Sequence, residues 1–254
     1  MNIRHGPQVG LALLMALAGC ARASEETDTT TTSPTAPSEP TASPTIQDVW
    51  KLPPFSPLEP GTYFIDPDVD PSTLLRVVYE IRAEGWSMWA GATKFAGDGH
   101  VAVSITTVTN LVNHGCRDHS WADPPVGSTV NDLAAALADL APFRVTSPPE
   151  DVTIYGYSGK HLELTVPDLP VEGAGDDRRF TECMEGDLKS WVASFDVVER
   201  DAFYGYTGPG YREEFWILDV EGTRLMIAAE RSRGSPPDDL AELRAILDSI
   251  RIEP

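Results

Sequence analysis

The chain has 254 residues, 41% of them hydrophobic, and sets 39 Asp and Glu against 19 Lys and Arg for a formal net charge of -20. So negative a chain repels phosphate, which excludes nucleic acid and anionic lipid heads as electrostatic partners. The surplus charge serves solubility, and read as a functional field it favours cationic partners or metal ions.

The amino end is built like an export leader. Arg4 and His5 form a small basic start, and Val9 to Ala18 supply about ten mostly apolar residues before a stretch of small ones. The four residues Leu17-Ala18-Gly19-Cys20 resemble the lipobox of bacterial lipoprotein signal peptides. That resemblance implies cleavage before Cys20, diacylglycerol on its sulfur, and a mature chain held at the extracytoplasmic face of the membrane. The apolar run is too short to span a bilayer, which takes roughly 20 residues, and no later segment reaches that length. Two acyl chains at ~0.8 kcal/mol per buried methylene hold a protein stably where one chain is marginal.

Residues 20–47 comprise this cysteine and a Thr/Ser/Pro-rich segment, as in Thr29-Thr30-Thr31-Thr32-Ser33-Pro34 and Ala42-Ser43-Pro44-Thr45. Such a segment has almost nothing apolar to bury and cannot offset the entropy of ordering its backbone, so the composition predicts a disordered stalk. Its prolines favour extension at about 3.1 Å per residue, and the same composition permits glycosylation.

Residues 48–254 read as a single globular domain, with no internal repeat and no second linker. Leu74 to Ile81 and His100 to Thr106 are short and β-branched, bounded by Pro71, Gly85, Gly97 and Gly99, as strands are. Thr129 is a predicted N-cap, with Asp132 placed to reach back to it. Val130, Leu133, Leu137 and Leu140 make one helical stripe that Pro142 ends. From Ser158 to Val166 the chain alternates, with Leu162, Leu164 and Val166 on one face and His161, Glu163 and Thr165 on the other. Glu214 to Val220 and Thr223 to Glu230 flank Glu221-Gly222, the signature of a two-residue hairpin turn. Phe215 to Leu218 are apolar at every position, which predicts a strand covered on both faces. Ser235 is a predicted cap for a last helix with Leu240, Leu243, Leu247 and Ile250 as its buried stripe. Strands outnumber helices and hairpins replace crossovers, so the expected class is α+β, an antiparallel β-sheet with two main α-helices packed against it.

After Cys20 two cysteines remain, Cys116 and Cys183. In an exported chain they are expected to pair.

The Gly85-Trp86 pair after an early strand, the closing hairpin, the Leu-rich helix and the ending Ile246-Leu247-Asp248-Ser249-Ile250-Arg251-Ile252 resemble the PsbP-like α+β domains of some bacterial lipoproteins. The resemblance lies mostly in the last forty residues, implies the same fold class, and brings no catalytic residues with it.

Motifs for chemistry are sparse. Gly156-Tyr157-Ser158-Gly159-Lys160 comes near a nucleophile elbow, but Lys160 stands where a glycine belongs and a strand follows instead of a helix. Asp118-His119-Ser120 holds three triad residue types, yet adjacent residues point different ways and cannot align base and nucleophile. His114, Cys116 and His119 would serve zinc only if Cys116 were unpaired. Asp66-Pro67-Asp68-Val69-Asp70 alternates carboxylates as a calcium loop does, but Pro71 replaces the turn glycine and Val77 the closing glutamate. No catalytic residue, metal or cofactor is assigned.

The aromatics carry the binding expectation. The segment Tyr204-Gly205-Tyr206-Thr207-Gly208-Pro209-Gly210-Tyr211 reads as a loop presenting Tyr204, Tyr206 and Tyr211 for recognition, with Trp86, Trp89 and Trp121 as further candidates for the same surface; the favoured alternative is core packing and loop rigidity. The functional expectation is a membrane-anchored extracytoplasmic lipoprotein whose non-enzymatic domain binds a small molecule, glycan or envelope protein. The alternatives are an assembly or structural factor of a cell-envelope complex, and a cell-envelope hydrolase using Ser158 or the histidines.

Overall fold

The computed structural model describes residues 46–253 except 71, 98 and 195–202. The leader, Cys20 and the Thr/Ser/Pro-rich segment up to residue 45 lie outside the described residues. Those that are described fall within one compact unit, Ser43–Pro254.

In chain order the strands begin with β1 (Gln47–Asp48), β2 (Pro57–Leu58), β3 (Gly61–Ile65), β4 (Arg76–Ile81), β5 (Trp86–Met88), β6 (Gly91–Ala96), β7 (Gly99–His114) and β8 (Asp118–Trp121). Helix α1 (Val130–Asp139) precedes β9 (Arg144–Ile154), β10 (Tyr157–Thr165), β11 (Val171–Glu172), β12 (Arg179–Phe180), β13 (Leu188–Ala193) and β14 (Phe203–Tyr206). The chain closes through β15 (Arg212–Val220), β16 (Thr223–Arg231), α2 (Pro237–Asp248) and β17 (Arg251–Glu253). Strands take half of the described residues. This overturns the expected α+β class with two main helices, and with it the layout that the PsbP-like resemblance implied. The protein is mostly β, and its two helices are minor.

The main sheet is antiparallel in the order β2-β5-β6-β7-β16-β15-β10-β9. β7 is its axis and runs to His114, well past the expected end at Thr106. Val101 to Thr107 pair with β16, Val108 to Leu111 turn to β13, and Val112 and His114 pair with β8. One strand thus leaves the main sheet to carry a second layer, and β14 extends that layer from β13.

β15 is covered on both faces, as its apolar run predicts. Phe215 and Ile217 join Leu133, Ala134 and Leu137 of α1 in one core, together with Leu162 and Leu164. Trp216, Leu218 and Val220 face the other way, into a core shared with α2. The larger part of that second core's far wall comes from β3 and β4, through Tyr63, Ile65, Val77, Tyr79 and Ile81. They belong to a separate sheet ordered β1-β3-β4-β17, which shares this core with α2.

Local signals are met where they depend on nearby residues. Thr129 and Asp132 form the reciprocal capping box at α1, an arrangement worth about 1 kcal/mol. Glu221 and Gly222 both have positive φ, 52° and 90°, which turns β15 into β16 as a tight hairpin. Ser235 does not cap α2. Its hydroxyl donates to the carbonyl of His100, 2.7 Å away, and Pro236 occupies the cap position. Cys116 and Cys183 form a disulfide with Cα atoms 4.5 Å apart, tying the end of β7 to the segment after β12.

Candidate functional site

The second layer stands off the main sheet and leaves between them a cavity of about 840 Å³. That is within the ~300–1,000 Å³ range of small-molecule sites. β5, β6, the start of β7, β13, β14 and residues 207–211 border it.

Its walls are aromatic. Trp89 stacks on Phe55 with ring centroids 5.1 Å apart and planes 7° from parallel. Phe95 stacks on His100 at 4.6 Å, and His100 lies 5.9 Å from Tyr211. His100 Nε2 bonds Thr93 Oγ1 at 2.8 Å, and burial pushes this histidine down to about 4, so the imidazole is neutral at physiological pH. Phe55, Trp89 and Phe95 are also 57%, 41% and 61% exposed, an apolar rim open to solvent. Exposed apolar surface gathered at one place marks a binding surface more often than scattered single residues do.

The inner wall is the stacked pair Trp191 and Tyr204, with centroids 4.7 Å apart. Both line the cavity, and both donate away from it. The Trp191 indole N–H donates to Glu213 Oε1 at 3.0 Å, and the Tyr204 hydroxyl donates to Glu230 Oε2. Sheet register sets Glu213 directly opposite Glu230, and the two are 2% and 0% exposed. Tyr206 also donates to Glu213, and its oxygen lies 3.0 Å from Ser190 Oγ.

Two carboxyls this close and this dry disfavour ionisation. Burial, then the charge of Glu230, raises Glu213 well above the usual carboxylate range, and burial raises Glu230 up to about 7. Trp191 and Tyr204 stand between this acid pair and the cavity. The glutamates therefore position rings and do not meet a ligand.

The structure distributes the expected site residues unevenly. Tyr204 and Tyr211 line the cavity, while Tyr206 turns into the acid pair. They do not form an exposed loop: Tyr204 and Tyr206 lie in β14, and Tyr206 and Tyr211 are only 6% and 9% exposed. The buried carboxyls and the Thr207 hydroxyl draw the phenols inward, because a buried phenol needs a partner. Trp89 belongs to the cavity. Trp86 is in the core with its N–H on Glu242, 3.0 Å away, and Trp121 packs edge-on against Phe203.

The chemical motifs do not assemble. Ser158 Oγ lies 3.5 Å from Thr153 Oγ1, and no hydrogen bond joins it to a histidine among the described residues. His119 Nε2 pairs with the Gly115 carbonyl at 3.0 Å, while Ser120 donates to Asp118 at 2.6 Å and holds that carboxylate down to about 2. His114 Nδ1 accepts the Cys116 amide, and the Asp66–Asp70 carboxylates accept turn amides. Among the described residues no group of three His, Cys, Asp or Glu is placed to hold a metal ion, and no helix is long and apolar enough to cross a membrane.

Sequence reasoning missed Phe55, Phe95, His100, Arg178, Trp191 and Arg233, which reach one cavity from segments up to 178 positions apart in the chain. No local pattern marks them.

No family model matches the chain, and no curated protein is similar to it. Among solved structures, the crystal structure of LpqN, involved in cell envelope biogenesis of Mycobacterium tuberculosis, aligns over 78% of this chain and 90% of its own, with 9% identity and a TM-score of 0.30. A likeness so faint carries no argument about fold or function.

Proposed function

We propose that the chain is a lipid-anchored extracytoplasmic protein whose domain holds an apolar small molecule in the aromatic cavity, as a binding protein and not as an enzyme. The cavity carries this reading: its size, its stacked rings and its exposed rim are what a ligand site for an apolar molecule requires. The anchor rests on Leu17-Ala18-Gly19-Cys20.

Binding is tested with the neutral dye N-phenyl-1-naphthylamine on the full chain carrying Cys20→Ala, purified free of detergent. The dye is expected to brighten on saturable binding. Trp89→Ala combined with Phe95→Ala should weaken it about tenfold or more, because two rim rings lose their contact with it. Both side chains are exposed, so the fold should tolerate the change. Absence of saturable binding, or equal affinity in the double variant, removes the reading.

The anchor has its own test. An alkyne fatty acid fed to producing cells should label the protein, and Cys20→Ala should abolish the label. Unchanged labelling in that variant, or a mature terminus elsewhere than Cys20, rules the anchor out.

A further inference from the structure

Among the described residues, the charged lining of the cavity runs against the charge of the chain. Acidic residues outnumber basic ones 39 to 19. Yet among the described residues lining the cavity the charged members are Arg178 and Arg233, and no Asp or Glu is with them. An acidic field over the whole surface favours cations, whereas this opening presents guanidinium groups.

The two arginines converge on one loop. Arg178 Nη1 lies 3.1 Å from where a Cβ on Gly208 would stand, and the Arg233 guanidinium is 2.8 Å from the corresponding point on Gly210. Arg178 thus sits over Gly208, which lines the cavity beside Tyr211, while the Arg233 head sits over Gly210 and against Asp168, which line an adjoining recess that Arg233 also borders. Gly210 has a φ of 76°, the left-handed region that glycine adopts freely.

Their partners are few. Arg178 is half-buried and forms no ion pair with a carboxylate among the described residues. Arg233 pairs with Asp168 at 2.9 Å, but both side chains are largely exposed, 70% and 72%, and such a pair holds weakly against a competing anion. Guanidinium groups favour oxyanions because their parallel N–H donors match a carboxylate's two oxygens. Deeper in the cavity the polar groups are neutral, with His100 uncharged and bonded to Thr93. A charged group has its counter-charge at the mouth and an apolar body has its place within.

We propose that the ligand is a single-chain anionic amphiphile, its carboxylate held by Arg178 and Arg233 and its hydrocarbon lying along Trp89, Phe95 and Trp191. This rests on the binding reading above and specifies the ligand's chemistry.

The test compares dodecanoate, dodecanol and dodecylamine, each below its aggregation concentration, by titration calorimetry on the full chain carrying Cys20→Ala. Dodecanoate is expected to bind at least tenfold tighter than the alcohol, and the amine weakest. Arg178→Ala and Arg233→Ala should each lower dodecanoate affinity about five- to tenfold and leave dodecanol within twofold. Together they should bring the acid down to the level of the alcohol, and Arg178→Lys should restore part of the loss. Equal binding of acid and alcohol while N-phenyl-1-naphthylamine still binds overturns this inference and leaves the apolar cavity standing. Tighter binding of the amine overturns it as well. If neither the dye nor any of the three binds, both readings fall together.

Discussion

Replacing Cys116 and Cys183 together by alanine is expected to lower stability by about 4 kcal/mol, the chain-entropy value for a bridge that closes so long a loop. The bridged residues are 67 positions apart, so the unfolded chain without the bond regains a large set of conformations. Neighbouring contacts act in the same direction. Cys116 and Cys183 pack with Val166, Phe180, Leu188, Tyr206 and Tyr211, and the Cys116 carbonyl accepts the Met184 amide at 2.8 Å. Tyr211 is a wall of the cavity, so binding of the neutral dye should weaken along with stability. Urea unfolding of the oxidised protein, the reduced protein and the double variant checks this. The last two should coincide at a midpoint well below the first, and a common midpoint for all three would contradict the structure.

Glu230→Gln should have the opposite effect, and only above mildly acidic pH. Below about 4.5, the ordinary glutamate value, this carboxyl is neutral both folded and unfolded and contributes no pH dependence. Above it the unfolded chain releases a proton that the folded chain retains, so folding grows less favourable as pH rises, until Glu230 ionises at about 7 and the loss levels off. A shift from 4.5 to about 7 corresponds to a loss on the order of 3 kcal/mol. Glutamine keeps the shape, still accepts the Tyr204 hydroxyl, and places an N–H donor beside Glu213 instead of a second acid. The variant should equal the wild type near pH 4.5 and exceed it by roughly 2–3 kcal/mol at pH 8. Urea midpoints of both proteins across that range give the difference directly. Parallel curves, or a variant less stable at pH 8, would mean that the acid pair is not held in the protonated form described.

How far the fold was legible depended on the range of the interaction. The alternation of Leu162, Leu164 and Val166, the Glu221-Gly222 turn and the Thr129–Asp132 box all recur in the structure, because each is settled within a few residues. Phe215 to Leu218 announced a doubly covered strand, but could not announce that one cover is largely a second sheet. The α+β expectation underweights the strands, because β9 is mostly exposed and β14 is set among glycines and a proline, so neither reads as a strand from its own residues.

Of the aromatic residues singled out from the sequence, Tyr204, Tyr211 and Trp89 line the cavity, and Tyr206, Trp86 and Trp121 do not. The glycines and proline around the tyrosines predict a loop. In the structure Glu213 and Glu230 draw Tyr206 and Tyr204 inward, and nothing in the sequence near residues 204–211 says that two glutamates will be buried opposite them. A Glu in an alternating strand reads as a solvent-facing residue, and only the packing of β13 and β14 over the main sheet makes these two dry.

By itself the sequence determined the two helices, the alternating strand at Leu162 to Val166, the Glu221-Gly222 hairpin, the cap at α1 and the net charge, since each follows from backbone preference, periodicity or composition over short distances. Only the tertiary structure decided the mostly-β class, the passage of β7 from one layer to the other, the buried acid pair, and which aromatic residues meet at the cavity. These depend on which distant strands lie side by side, and side-chain pattern along a single strand does not encode its neighbour.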